Sequence, residues 1–515
     1  MWLATVRRAF TSLLLDRHGN QARGLAQYSI EFLAKAQPSA TVIERLKLFH
    51  LDAMLCAASA LASGANGCSV LRKEAMGNGL DGGAKCLGSE KPIRPEKAVM
   101  ANCSAVREWD MNGSMFGYHP RNPTQRAGEF GQNDFYPVAA AAAQVRHLSG
   151  QQLVLGMLLA DEVRGRLAQA FSLRAQGVDH VLYGGVASAC VYGALVGASE
   201  KQIEQAIGMV VSHYAPTVSV RKGLRLSDSK GAASALIAEA AVLSVTRCMN
   251  GFQGPEDIFR QPWTVFRRSG DATSAFDLEL GWEGDDFAIQ TMHFKLGLCA
   301  HITAGAQLGL LSVLLQTQGR LRSVSDIHSI NVSVFKVLFE YLCQPSKRRP
   351  KNRSSADHSL YYVLARLLHK ALARADQLQF SSIESLWKDL ILMPEDYTAE
   401  ALNDPVTLQL MDKINVEYGG PEYDQQYPEG LPSQLHLNCA ISQFDSGLVV
   451  TPPGFSTCVQ YRSQEILEAK FQRLGTALKD YSKFDAKLRR LDHLSAAEVQ
   501  TIYDCQLNES SRSIA

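Results

Sequence analysis

The sequence predicts a mainly α-helical protein, a large helical domain with an inserted smaller α+β lid domain. Three observations carry this expectation. A chain of 515 residues is too long for one compact core. Apolar residues recur at helical spacing through most of the stretch from about 20 to 285. Beyond about residue 287 the texture changes, and short alternating segments stand between helical ones.

The first stretch, from Met1 to Phe10, carries Arg7 and Arg8, and no acid precedes Asp16. On a helix it would be apolar on one face and basic on the other. That suits a mitochondrial presequence and, equally, an ordinary amphipathic helix. Residues 1–24 are therefore read as a candidate targeting segment, with the mitochondrial matrix as destination and the cytoplasm as the alternative. Residues 25–286 form the expected helical domain, with helical periodicity in 42–62, 138–147, 152–171, 187–195, 203–213 and 232–249. Many contact positions there are Ala, Gly or Ser, which lets helices approach closely. Gly and Pro punctuate the joins at Pro38, Gly64, Pro137 and Gly150. Residues 287–430 form the expected lid, where 327–334 and 413–418 alternate like half-buried strands and 359–373 is helical. Residues 431–515 read as a return to the helical domain, through helices at 463–481 and 495–503. No apolar run approaches the roughly 20 residues of a membrane span.

Composition narrows the partners. The formal net charge is +1, with 20% charged residues, which gives no reason to expect nucleic acid or an anionic membrane. An anionic small molecule would have to be met by a local cluster of cations. The 11 cysteines are scattered without a CxxC pair, so they read as reduced, mostly buried thiols, with no zinc or iron–sulfur centre. The one basic run, Lys347 to Arg353, is broken by Pro350 and reads as a solvated loop.

Four stretches hold residues able to do proton chemistry. The first runs from Arg107 through Asp110, Gly113 and Ser114, then His119-Pro120 and Gly131-Gln132, ahead of an alanine-rich helix. Its polar density is matched by the plain reading of a loop whose Asp and Asn side chains satisfy turns. The second, Gly177-Val178-Asp179-His180, precedes the pair Gly184-Gly185. An imidazole at a helix entrance has a tunable pKa, although a lone histidine is more often structural. The third places Arg221, Lys222, Arg225 and Lys230 ahead of a long alanine-rich helix, suited to hold carboxylates or simply a charged turn. The fourth, His293-Phe294-Lys295 to His301, stands at the domain boundary and has the least local signal.

In order and spacing these stretches resemble the MmgE/PrpD family, its dehydratase branch in particular. Gly177-Val178-Asp179-His180-Val181-Leu182 with Val186-Ala187-Ser188, Trp109-Asp110-Met111-Asn112-Gly113-Ser114, Gly251-Phe252-Gln253-Gly254-Pro255, Phe294-Lys295-Leu296 and Ala356-Asp357-His358-Ser359 each resemble a segment of that branch. The likeness covers nearly the whole chain after about residue 25. It implies a cofactor-free lyase, usually a homodimer, with its site between a helical domain and a lid. The substrate would be a small polycarboxylic acid, with no nucleic acid and no membrane as partner. By position, Asp110, Ser114, His180 and a lysine, Lys222 or Lys230, would line the pocket. His180 would act as acid or base with Asp110 as its partner, Ser114 would donate a hydrogen bond, and the lysine and Arg225 would hold carboxylates. Two departures stand out: Gln132 where the family has a histidine, and Gly113 where it has an acid. Either His119 folds back into the missing role, or the activity is altered. Dehydration of 2-methylcitrate is the first reading, a non-catalytic relative that binds a metabolite or partner the second, and cis-aconitate decarboxylation the third.

Overall fold

The computed structural model describes residues 12–123, 125–221, 226–267 and 275–508. The first eleven residues of the targeting expectation, and Lys222 and Arg225, lie outside the described residues. From Ser12 onward the chain belongs to the helical body. Ser12–Leu15 pairs antiparallel with Leu278–Gly281. Gln21–Lys35 is the first helix, begun by Asn20, whose side chain accepts from the Arg23 amide.

All six segments with helical periodicity are helices: Ala40–Ala62, Tyr136–Arg146, Gly150–Ala170, Val181–Val196, Glu200–His213 and Asp228–Met249. Asn66–Met76 and Pro95–Glu108 complete the body. Val181–Val196 begins well before the expected 187, because its glycines serve packing instead of ending the helix. A Cβ on Gly184 would come 1.9 Å from the Phe135 ring. Asp228–Met249, at 22 residues, is long and apolar enough to cross a membrane, contrary to the expectation that no run approached that length. Here it packs on Pro95–Glu108, Val181–Val196 and Glu200–His213.

The smaller domain is built on a four-stranded mixed sheet in the order Ile414–Tyr418, Ile327–Val334, Ser433–Cys439, Gln443–Asp445. The first pair is parallel, with Val416 opposite Val332. The others are antiparallel, with Leu435 opposite Val332. Helix Ala304–Thr317 packs on Ser433–Cys439. The last two strands lie past residue 430, so the sheet runs on where a return to helix was expected. Ser433–Cys439 alternates buried with more exposed positions, a period-2 signal too short to separate from its loops.

The return to the body comes with Ser463–Gly475, which packs on Ala40–Ala62. The helix expected over 463–481 is two helices, Ser463–Gly475 and Tyr481–Arg489. They meet where a Cβ on Gly475 would stand 2.5 Å from the Tyr481 ring. All eleven cysteines are unpaired, and nine are buried. The basic run is only partly a solvated loop, because Arg348 lies over the Tyr361 ring at 4.2 Å and Arg353 pairs with Glu108 at 2.6 Å.

Candidate active site

The site forms where the ends of body helices meet the lid. After Pro95–Glu108 the chain turns sharply, and Asp110 adopts the left-handed region at φ +50°, which Asp tolerates better than most residues. The turn drives its carboxylate inward, where it is buried. Lys295 donates to Asp110 Oδ1 at 2.6 Å and also to its carbonyl oxygen. Arg107 pairs with the same carboxylate, and Lys230 Nζ and His358 Nε2 stand 3.4 and 3.5 Å from Oδ2. Burial would push the Asp110 carboxyl up, but Arg107, Lys295 and Lys230 hold it well below the usual range. The partners of Asp110 are thus three cations and the His358 ring; the close carboxylate given to His180 is Asp179, at 4.0 Å.

His180 is the N-cap residue of Val181–Val196, yet its side chain makes no capping bond. That bond comes from Asp179 Oδ1, which accepts from the Val181 amide at 3.1 Å. Arg221 grips Asp179 with two nitrogens, at 2.6 and 3.1 Å. The His180 ring is left pointing into the pocket. Burial lowers its pKa to about 3, against the pull of Asp179, so the imidazole is neutral near pH 7.

Lys230, in the first turn of Asp228–Met249, is buried and loosely held. Its closest polar neighbour is His358 Nδ1 at 3.1 Å, and Asp110 and Asp357 stand at 3.4 and 3.5 Å. Burial brings it down to about 8, with Asp357 and Asp110 opposing. His358 is lowered to about 4, by burial first and then by Lys230. Asp357 contacts the His358 ring and lies 3.4 Å from Arg353.

Ser114 is in the wall behind the pocket. It pairs in strand register with Gln132, and its Oγ hydrogen-bonds His301 Nδ1. Directly opposed residues on paired strands project to one face, so Gln132 and the Ser114–His301 pair lie on the same side. Burial pushes His301 well below its ordinary pKa. An imidazole from a separate segment therefore lines the same pocket as Gln132, the position at which the resemblance implies a histidine. His119 does not take that role. It is buried, accepts from the Arg121 amide at 3.2 Å, and does not line the pocket. Gly113 has a packing reason of its own, because a Cβ there would come 2.5 Å from the Phe49 ring.

Together, Arg107, Asp110, Gln132, His180, Lys230, His301 and His358 line a cavity of about 140 Å³ between body and lid. Of the residues singled out from the sequence, the structure places Asp110, His180, Lys230 and Gln132 on the wall and Ser114 one contact behind it. It adds Arg107, His301 and His358. His301 and Lys295 belong to the stretch with the least local signal; their sequence cue was two basic side chains six residues apart at the domain boundary. Beneath the pocket, Lys470 of Ser463–Gly475 is wholly buried. It donates to Asp52 at 2.5 Å and to the carbonyls of Met111 and Lys295 at 2.7 and 2.8 Å, tying together the two loops that carry the charges. Among the described residues, no three His, Cys, Asp or Glu side chains come together as a metal site.

Neutral imidazoles facing fixed cations in a cleft suit proton transfer on a small carboxylic acid. The comparisons agree in class. A model of the MmgE/PrpD N-terminal domain matches residues 23–275, and one of the C-terminal domain matches 304–487. The chain belongs to the MmgE/PrpD family. It is 23% identical over 376 residues to the 2-methylcitrate dehydratase of Salmonella typhi, covering 69% of this chain and 75% of that protein. It is 23% identical over 337 residues to the alkylcitrate dehydratase phiI of a fungal species, covering 63% and 65%. It is 21% identical over 390 residues to the mitochondrial 2-methylcitrate dehydratase of Yarrowia lipolytica, covering 73% and 68%. The family is one of hydro-lyases acting on small carboxylic acids.

Proposed function

We propose that this protein eliminates water from a small hydroxy polycarboxylic acid, with 2-methylcitrate as the first substrate to test and 2-methylaconitate as its product. The observation that carries the reading is the pairing, in one buried pocket, of the neutral His180 imidazole with the loosely held Lys230 ammonium. His180 takes the proton from the carbon next to a substrate carboxylate. That electron pair forms the double bond, the carbon–oxygen bond breaks, and the hydroxyl leaves as water with a proton from Lys230. Arg107 pairs with Asp110 and Asp134 and lines the pocket, so its fixed positive charge faces a carboxylate on which charge builds. The Gln132 Oε1 is buried without a hydrogen-bond partner and suits the substrate hydroxyl. Asp110 holds the cations in place, and Ser114 orients His301. Lys222 and Arg225, bracketed in sequence by the pocket residues Arg221 and Leu226, join the carboxylate-holding set in this proposal. So do a homodimeric state and the mitochondrial matrix as the place of action.

The test is an NMR time course with 2-methylcitrate and, separately, cis-aconitate. Appearance of 2-methylaconitate is the expected result. Itaconate with release of CO2 would move the chain to decarboxylation, and no change in either sample would overturn the catalytic reading.

The pH dependence checks the roles assigned to His180 and Lys230. The Lys230 cation is present below about 8 and is lost above it, whereas His180 and His358 stay neutral down to about 3 and 4. In the free enzyme kcat/KM is therefore expected to be level from pH 5.5 to 7.5 and to fall about tenfold per unit well above pH 8. A profile still level at pH 9.5 would remove Lys230 from its role.

A further inference from the structure

Lys230 has open space on two sides. In front lies the pocket of about 140 Å³; behind lies a second cavity of about 10 Å³. The two share Arg107, Asp110 and Lys230. The rear cavity is completed where Glu108, Asp228 and Gly231 of the body meet Arg353 of the lid. Lys230, Asp110 and Glu108 are buried, whereas Asp228 is exposed and does not line the front pocket. Among the described residues, the rear cavity therefore leads from Lys230 towards the surface by a route of its own. A space of this size takes one water when polar groups surround it. Glu108 is held at Oε1 by Arg353 at 2.6 Å. Its Oε2 and the Asp228 side chain face one gap, because a Cβ on Gly67 would stand 3.1 Å from Glu108 Oε2 and 3.4 Å from Asp228 Cβ. Burial pushes the Glu108 carboxyl up; Arg353 opposes this and Asp228 adds to it, so Glu108 takes up a proton more readily than an exposed glutamate.

We propose that the rear cavity holds a water linking Lys230 to Glu108, through which Lys230 exchanges protons with solvent while the front pocket is occupied. Its use in catalysis rests on the proposed elimination, which leaves Lys230 as an amine behind the bound product; the path itself does not. A proton passes from solvent to the Glu108 carboxylate, from Glu108 Oε2 to the water, and from the water to Lys230 Nζ. Only O–H and N–H bonds change. The His180 imidazolium gives the matching proton back to solvent through the front pocket. Glu108 acts through Lys230 and does not touch the substrate.

Gly231→Ala tests the path without altering a charge. Among the described residues beyond its own helix, a Cβ on Gly231 would find just Glu108 Oε2 within 4 Å, at 3.9 Å. The methyl group therefore enters the cavity without strain, and alanine is the better helix former. NMR of isotope-labelled lysine follows exchange of the Lys230 ammonium protons with solvent. It is run with the front pocket empty and then filled by propane-1,2,3-tricarboxylate, which has no hydroxyl to lose. Filling is expected to leave exchange in the parent nearly unchanged. In Gly231→Ala it is expected to slow exchange about tenfold or more, since exchange must then wait for a local opening. With 2-methylcitrate, Gly231→Ala and Glu108→Gln are expected to lower kcat and to enlarge its solvent deuterium isotope effect, which a loss of packing would not do. Exchange that slows equally in parent and variant would overturn the path, and turnover of 2-methylcitrate would then stand on the front pocket alone. Exchange that persists in the parent and slows in Gly231→Ala, without turnover of 2-methylcitrate, would support the path while the proposed reaction fails. An unchanged kcat and isotope effect in both variants would overturn the use of the path in catalysis.

Discussion

His180→Ala is expected to abolish measurable turnover while leaving the protein folded. Removing a positioned general base costs typically about 10²- to 10⁴-fold in rate, and no other group in the pocket repeats its situation. Lys230 is largely protonated at neutral pH. His301 is engaged at Nδ1 by Ser114, and His358 lies between Asp357 and Lys230. The fold does not depend on the ring. His180 makes no capping bond, and Asp179 supplies that bond to Val181 while held by Arg221. The variant should therefore show an unfolding transition and near-UV circular dichroism close to those of the parent. Turnover of 2-methylcitrate within a fewfold of the parent would end the assignment of His180 as the base.

Lys470→Met is expected to have the largest effect on stability. The ammonium is wholly buried and uses its donors on Asp52, Met111 and Lys295. Burial already pushes the Asp52 carboxyl up, and Lys470 is the first of the groups that oppose this. Removing the lysine strands a buried carboxylate and leaves two carbonyls without their donor. Breaking a buried pair from one side costs about 3–5 kcal/mol. Because the two carbonyls belong to Met111, next to Asp110, and to Lys295 itself, the pocket should loosen with the fold, and kcat should fall more than thermal unfolding alone explains. Replacing both partners, Asp52→Leu with Lys470→Met, removes the stranded charge and is expected to recover most of the stability without restoring kcat. Denaturant midpoints of the three variants check this. A loss under about 1 kcal/mol for the single lysine variant would show that the brace is not holding the two loops.

The repeating parts of this structure are legible without coordinates. Apolar spacing near 3.6 marks the helices of the body, and alternation marks Ile327–Val334 and Ile414–Tyr418, because burying one face of a regular element leaves its period in the chain. The segment around His180 is legible too, since the carboxylate, the imidazole and the helix they start are contiguous. Gly184 is the instructive exception. As a local signal it reads as a break, and only the Phe135 ring lying against it explains why a glycine sits inside a helix.

The charge cluster follows no such local pattern. Asp110, Lys230, Lys295 and His358 come from segments up to 248 residues apart, as shown by the 110 to 358 contact. Nothing near Lys295 in sequence marks it as the partner of Asp110, and nothing near Lys470 marks it as the brace beneath both. The same holds for His301 standing beside Gln132, and for the failure of His119 to reach the pocket. Residue types and short-range periods therefore account for the elements, the class of chemistry and the family resemblance. Which cation meets which carboxylate, and which imidazole is stripped of water until it is neutral, follows from packing between elements distant in the chain. Desolvation and Coulomb attraction act through space, so their result at each group is set by neighbours that the local sequence does not contain.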